Sequence, residues 1–254
     1  MSELLHFAEH RLQEAALLVM ACVYSVRLVW LLRFRAAGER QAPSAPWRTG
    51  PAKGVAYSWL IIGMPWAMES SRRRPQQYAQ FVIFHLGVAA AIALSFIIPY
   101  GPQLLERPGM VQSMQVIIGA AFAVGLMRLY RRATDKVMRA ISSPDDYFSL
   151  ALLTVWFFFA FFAAPNRYDR GETVLLVYFF LTAFFLLYVP FSKISHYLYY
   201  PFTRYYLGKT MGHRGVFPLL RGPRPRRAEE RVLVPSPGLE ALAAGNPAGK
   251  GARR

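Results

Sequence analysis

Five histidines are the residues of this 254-residue chain best suited to chemistry, because imidazole exchanges protons near neutral pH and binds metals. Two of them, His85 and His196, lie in or at the edge of long apolar runs. The others are His6, His10 and His213. His6 and His10 are one helical turn apart, which suits a metal but is more typical of an amphipathic helix face. The single cysteine, Cys22, excludes a disulfide framework and a thiolate-held zinc or iron–sulfur site.

Five long apolar runs must position these histidines. Apolar residues make up 54% of the chain and gather into stretches near the roughly 20 residues that cross a bilayer as a helix. Because lipid offers no hydrogen-bond partners, and the runs lack the alternation of barrel strands, we predict an all-α membrane protein. The predicted transmembrane helices are 15–32, 78–98, 110–127, 147–164 and 173–191. A shorter apolar stretch, 54–66, is interrupted by Pro65 and predicts an interfacial or re-entrant segment.

The basic residues lie on one side of the predicted bundle. Of 30 Lys and Arg residues, eight lie between the first two spans, five between the third and fourth, and twelve after the fifth. The positive-inside rule therefore predicts an outer N-terminus and a cytoplasmic C-terminus. We expect an outer segment 1–14, a membrane domain 15–200, and a basic, largely disordered cytoplasmic tail 201–254. Orientation explains the net charge of +16, so nucleic acid is not an expected partner.

His85 and His196 are predicted to share one layer of the membrane. His85 lies inside the second span, roughly 10 Å below the cytoplasmic surface at 1.5 Å per residue. The fifth span runs the other way and reaches that surface near His196. Two imidazoles at matched depth can clamp a haem iron from both faces of its porphyrin. The alternative is that each histidine only hydrogen-bonds a neighbouring helix.

Cations lie near the predicted haem layer. Arg27, in the cytoplasmic half of the first span, could pair with a haem propionate, or its side chain could reach out to the lipid headgroups. Lys193 and Arg128 lie near the cytoplasmic surface. Either could meet a propionate or a lipid phosphate, so these assignments stay open.

Three stretches of the sequence resemble a known family. They are HLGVAAAIALS in the second span, SSPDDYFSLALL at the start of the fourth, and VPFSKISH at the end of the fifth. Together they resemble the gamma-subunit family of respiratory nitrate reductase, which includes cytochrome b subunits of heterodisulfide-reductase-like and sulfite-reductase-associated complexes. The resemblance covers roughly residues 15–200. It implies five helices, b-type haem, and electron transfer between membrane quinone and an iron–sulfur partner.

The resemblance also bears on the number of haems. Gamma subunits of nitrate reductase hold two, with histidines ten residues apart on the second helix and eighteen apart on the fifth. Here Ser95 stands ten residues after His85, and Tyr178 stands eighteen before His196. We therefore expect a single haem b, the one nearest the cytoplasm. Ser95 and Tyr178 would face the space of the missing haem, where a quinone could bind.

The expected function is that of a membrane-anchor cytochrome b subunit in the cytoplasmic membrane of a bacterium or archaeon. One haem b with axial ligands His85 and His196 would relay electrons between membrane quinone and a cytoplasmic iron–sulfur subunit. The chain would then be the quinone-reactive part of a multi-subunit oxidoreductase. The alternative is a non-redox membrane protein, such as a transporter component or an assembly scaffold, with structural histidines.

Overall fold

The computed structural model describes residues 2–34, 38–43, 46–168 and 171–219, and the regular structure within them is helical throughout. In chain order the helices are α1 (Glu3–Arg33), α2 (Pro51–Leu60), α3 (Glu69–Arg73), α4 (Pro75–Tyr100), α5 (Met110–Thr134), α6 (Lys136–Ile141), α7 (Pro144–Ala163), α8 (Thr173–Tyr188) and α9 (His196–His213). Short 3-10 turns lie at Pro46–Arg48, Ile61–Gly63, Pro102–Leu104, Val189–Phe191 and Lys193–Ser195.

Five of these helices are long and apolar enough to cross a membrane: α1, α4, α5, α7, and α8 with the turn that follows it. This confirms the predicted all-α class and the five candidate spans. Local signals fix the helix starts, as α7 illustrates. Its N-cap residue Ser143 precedes Pro144, and the Ser143 backbone N–H donates to the Asp146 carboxylate at 2.8 Å. Such a capping box satisfies backbone donors that the first helical turn leaves free.

At both ends of the expected membrane domain, the helices extend beyond the predicted boundaries. α1 is helical from Glu3 and continues without interruption through the first candidate span, whereas the first predicted transmembrane helix begins at residue 15. The outer position of residues 1–14 stays a prediction. The Ser2 side chain caps this helix, and its Leu5 and Ala8 face is fully buried, which stabilises the extra turns. The expected boundary at residue 200 falls inside α9. Most of the predicted disordered tail, 220–254, lies outside the described residues.

Hydrogen bonds near the helix termini show which ends of the long helices lie together. At one end, which we call the far end, the Tyr100 hydroxyl donates to Glu14 at 2.9 Å and the Ser2 N–H donates to Glu172 at 2.7 Å. At the other, which we call the basic end, the Lys193 ammonium lies 2.9 Å from the Asp146 carboxylate. The far end therefore holds the starts of α1 and α8 and the end of α4.

The long helices pack in the order α4, α5, α7, α8, α1. Small residues allow close approach, since a Cβ on Gly87 of α4 would overlap the Cβ of Ala121 of α5. The ring is completed at the far end, where α4 meets the π-helical segment Phe7–Leu12 of α1. Towards the basic end the helices enclose open space.

The apolar stretch 54–66 forms α2 and the turn that follows, and α2 packs backbone to backbone on α9. A Cβ at Gly208 would lie 2.6 Å from the Val55 Cα, and a Cβ at Gly212 would lie 2.6 Å from the Gly50 carbonyl oxygen. The Gly50 N–H donates to the Gly212 carbonyl at 2.9 Å. Only glycines permit this approach, which anchors α9 beyond His196. The interfacial position of the stretch stays a prediction.

Candidate cofactor site

One cavity of about 970 Å³ contains both predicted haem ligands, His85 and His196. It lies between α1, α4, α5, α7, the end of α8 and the start of α9. Its volume is at the upper end of the range for small-molecule and cofactor sites. Most of the lining is apolar, including Phe84, Ile92 and Leu153. Two histidines that are distant in sequence therefore line the same cavity.

Backbone carbonyl groups hold both imidazoles in the same way. The Nδ1 atom of His85 lies 2.7 Å from the Phe81 carbonyl oxygen, and that of His196 lies 3.0 Å from the Lys193 carbonyl oxygen. Because a carbonyl oxygen only accepts, Nδ1 carries the proton in each neutral ring. The Nε2 atoms are then left with free lone pairs. This is the tautomer that a metal-ligating histidine needs, with its second nitrogen held by the protein.

The donor set suits a porphyrin better than an ion held by side chains alone. Within the described part of the chain, no group of three or more His, Cys, Asp or Glu side chains comes together. Zinc bound by side chains requires at least three of them. A haem iron has four ligands in its macrocycle and needs only axial ligands from the protein. His85 and His196 fit that requirement.

Cations line the basic end of the cavity. They are Arg128, Arg131, Arg132 and Lys193. The Asp146 carboxylate, also in the lining, lies 2.9 Å from the Lys193 ammonium and 3.8 Å from the Arg132 guanidinium. Among the described residues, Arg128 and Arg131 have no carboxylate within ion-pair distance. This arrangement favours an anionic group on a bound ligand, such as the propionates of haem.

Arg128 is the cation held closest to the ligand helix. It is half-buried, and its guanidinium carbon lies 4.9 Å from the centroid of the Phe84 ring, next in sequence to His85. Arg128 was predicted from the sequence to lie near the haem layer, whereas Arg131 and Arg132 were not. Their spacing of three and four residues from Arg128 puts all three on one helix face, and that pattern could have revealed them.

Of the two proposed propionate partners, Arg27 and Lys193, only Lys193 lines the cavity. The Lys193 ammonium, however, already donates to the Ser143 hydroxyl at 2.7 Å and to Asp146. Arg27 is not in the lining, and its guanidinium carbon lies 5.7 Å from the centroid of the Phe191 ring. The position of Arg27 therefore gives no support to a propionate contact. Its side chain packs on an aromatic ring instead.

Of the two residues expected near a quinone, Ser95 and Tyr178, only Ser95 lines the cavity. The Ser95 hydroxyl donates to the Ile92 carbonyl at 2.8 Å. The Tyr178 side chain is fully buried, and its hydroxyl donates to the Ala91 carbonyl at 2.6 Å. Tyr178 thus joins α8 to α4, and its burial gives no support to a quinone contact.

Large side chains fill the bundle beside Tyr178. The Trp156 and Tyr178 rings stack with centroids 6.2 Å apart, and Trp156 Nε1 donates to the Thr182 hydroxyl at 2.8 Å. Phe157 and Phe179 are fully buried. These buried side chains fill the interior of the bundle around Tyr178, which favours one cofactor site over two.

A tyrosine pair fixes the helix that carries His196. The hydroxyl groups of Tyr24 and Tyr197 lie 2.6 Å apart and join α1 to α9. Partial burial raises the pKa of Tyr197, so its hydroxyl stays neutral. Since Tyr197 follows His196 and lines the cavity, this bond helps hold the imidazole in place.

Comparisons with known proteins give one relationship and no family. The chain is 26% identical over 203 residues to a protein of Nitratidesulfovibrio vulgaris, and the alignment covers 76% of this chain and 87% of that protein. That protein is described only as "Protein". No family model matches the chain, and no solved structure matches it. The similarity extends over most of both chains.

Proposed function

We propose that this chain is a membrane cytochrome b subunit that holds one haem b between His85 and His196. The observation that carries the proposal is the pair of imidazoles in one apolar cavity, each with Nδ1 bonded to a carbonyl and with Nε2 unpartnered among the described residues. A structural histidine that only joined helices would donate to a neighbouring helix. Here each ring bonds within its own segment, so helix joining does not account for either.

The residues of the chain would bind, orient and shield the haem. His85 and His196 would supply the two axial nitrogens, and the apolar walls would exclude water. Arg128 and Arg131, which lack carboxylate partners among the described residues, would neutralise the propionates. The haem itself would supply one-electron chemistry between ferric and ferrous iron.

The proposed partners follow from the position of the cavity. We assign the basic end to the cytoplasm, because the loops of that side hold 25 of the 30 Lys and Arg residues. An iron–sulfur subunit would dock there, close to the haem edge. Membrane quinone would exchange electrons with the haem from within the bilayer of the bacterial or archaeal cytoplasmic membrane. The resemblance to nitrate reductase gamma subunits supports this role.

The test is haem binding by purified full-length protein. We expect a b-type alpha band in the dithionite-reduced spectrum of wild type, and its loss in His85→Ala and in His196→Ala. His213→Ala is the matched control, because His213 lies at the end of α9 and outside the cavity. We expect this variant to keep the band.

Two results would count against the proposal. A wild-type spectrum without the alpha band would favour a non-redox transporter component or scaffold. A full band in both His85→Ala and His196→Ala would show that the ligands lie elsewhere. Helical content measured by circular dichroism must accompany each spectrum, so that loss of haem is separated from loss of fold.

A further inference from the structure

Glu9 is a buried acid within α1, a helix of membrane-spanning length. Its side chain is 2% exposed, and its Oε1 atom has no hydrogen-bond partner among the described residues. An ionised carboxylate without partners is costly to bury, and acids inside transmembrane segments commonly mark proton or ion pathways. Packing alone therefore does not explain a glutamate at this position.

A second acceptor without a partner lies four residues away. Gln13 is 1% exposed, and its Nε2 donates to the Ser95 carbonyl at 3.0 Å, which fixes the orientation of the amide. Its Oε1 atom is buried and has no partner among the described residues. Residues four apart on a helix are neighbours, with Cβ atoms about 5–6 Å apart. One proton on Glu9 would satisfy both oxygens, because the acid could then donate to the Gln13 amide.

The backbone is unusual at the same place. Phe7–Leu12 forms a π-helical segment, a rare conformation that is frequent at functional sites. In this segment α1 packs against both α4 and α8. Glu9 thus lies where three long helices meet at the far end of the bundle.

We infer that Glu9 is a proton-exchanging carboxyl, which takes up and releases a proton at the far end of the bundle. Gln13 connects it with the cavity, because Gln13 lines that space together with Ser95. His85 and His196 lie in the same cavity, nearer the basic end. The chain would therefore handle protons and electrons at opposite ends of one space.

Other polar groups lie at the far end of the bundle with Glu9. The titratable and polar side chains around it on α1, α4 and the start of α8 are His6, His10, Glu14, Ser95, Tyr100 and Glu172. The rings of His6 and His10 lie 4.7 Å apart, and that of His10 lies 5.4 Å from Tyr100. Tyr100 in turn donates to the exposed Glu14. A proton released by Glu9 would leave through this set.

The role of this proton site rests on the proposed function. Oxidation of a quinol gives a quinone, two electrons and two protons. The two electrons would leave one at a time, by way of a haem held by His85 and His196, to the proposed iron–sulfur subunit as their acceptor. The protons need a separate acceptor on the chain, and Glu9 would take each in turn and pass it to the aqueous phase at the far end. Quinone reduction would follow the reverse path.

Infrared difference spectroscopy of the purified full chain, between about pH 6 and alkaline pH, tests the assignment, because carboxyl groups with ordinary pKa values stay ionised throughout that range. We expect wild type to show the carbonyl stretch of a protonated carboxylic acid, Glu9→Gln to lack it, and Glu14→Gln to keep it. Glu14 is the matched control, since it lies on α1 but is exposed and bonded to Tyr100. Dicyclohexylcarbodiimide, which adds to protonated carboxyl groups in apolar surroundings, provides a test on wild type. Peptide mass spectrometry should find the adduct on Glu9 and not on Glu14.

The outcomes separate this inference from the proposed function. A carboxylic acid band that survives in Glu9→Gln, or an adduct on Glu14 in place of Glu9, overturns the proton site. A Glu9 band in protein without a haem spectrum supports the proton site and refutes the proposed function. In haem-loaded protein, Glu9→Gln should slow haem reduction by quinol about 100-fold, the scale of general acid–base catalysis. An unchanged rate overturns the link between Glu9 and quinone chemistry.

Discussion

The contact between α4 and α5 beside His85 should tolerate a methyl group on only one of the two helices. A Cβ at Gly87 would overlap the Cβ of the fully buried Ala121, and it would also lie 3.5 Å from the Ala121 Cα. Gly87→Ala must therefore push the helices apart. Since His85 is two residues from Gly87, the same displacement moves an axial ligand.

The expected cost follows from two opposing effects. Overpacking costs about 1–3 kcal/mol, while replacing glycine by alanine in a helix contributes about 1 kcal/mol in favour. Gly87→Ala should thus lower the free energy of unfolding by up to about 2 kcal/mol. Ala121→Gly should cost about 1 kcal/mol in helix propensity. In the exchanged variant Gly87→Ala with Ala121→Gly the overlap disappears and the propensities cancel, so stability should return close to wild type.

The assay is denaturation in mixed detergent micelles, with unfolding monitored by circular dichroism. Haem absorbance is recorded for each variant. Gly63→Ala is the control, because no atom lies within 4 Å of a Cβ at that position. We expect haem content to fall in Gly87→Ala and to recover in the exchanged variant. The reasoning is refuted if Gly87→Ala matches wild type in stability and haem content, or if the exchange gives no recovery.

Three further changes test other contacts. Tyr178→Phe removes the buried hydrogen bond to Ala91 and should cost about 0.6–1.5 kcal/mol in the same denaturation assay, with haem content unchanged. Asp146→Ala removes the capping box of α7 and the ion pair with Lys193, and should cost about 1–2 kcal/mol. Hydrogen bonding from the Gln41 N–H, together with Arg214, holds the pKa of Glu39 below its usual range. Its stabilising effect is thus complete above about pH 4.3, the unperturbed value, and is lost as the pH falls through the lowered pKa. Glu39→Gln should therefore lower the melting temperature at neutral pH and leave it unchanged at strongly acid pH; equal losses at both would contradict this.

Much of the architecture could be predicted from the sequence, because a bilayer constrains a chain strongly. Apolar length alone identified five spanning helices, and the Ser143-Pro144 signal identified the start of α7. The two histidines could be paired because helix rise converts sequence position into depth. The first helix begins earlier than the predicted residue 15, because burial of Leu5 and Ala8 against neighbouring helices extends α1 to Glu3. Apolar span length does not report such contacts.

The side chains that surround the site depended on the tertiary structure. Sequence position placed Arg27 at the depth of the histidines, and helix rotation turned it towards Phe191 and away from the cavity. Rotation likewise buried Tyr178 and opened Ser95 to the cavity. The carbonyl bonds that leave both Nε2 atoms free depend on backbone and ring geometry.

Sequence by itself thus determined which stretches are long and apolar enough to cross a membrane and where along them the histidines lie, since length and hydropathy act along one dimension. Only the packed bundle decided which side chains share the cavity, and that Glu9 and Gln13 are buried together without partners. Those properties depend on the rotation of each helix about its own axis. Contacts between helices set that rotation, and residues far apart in the chain supply them.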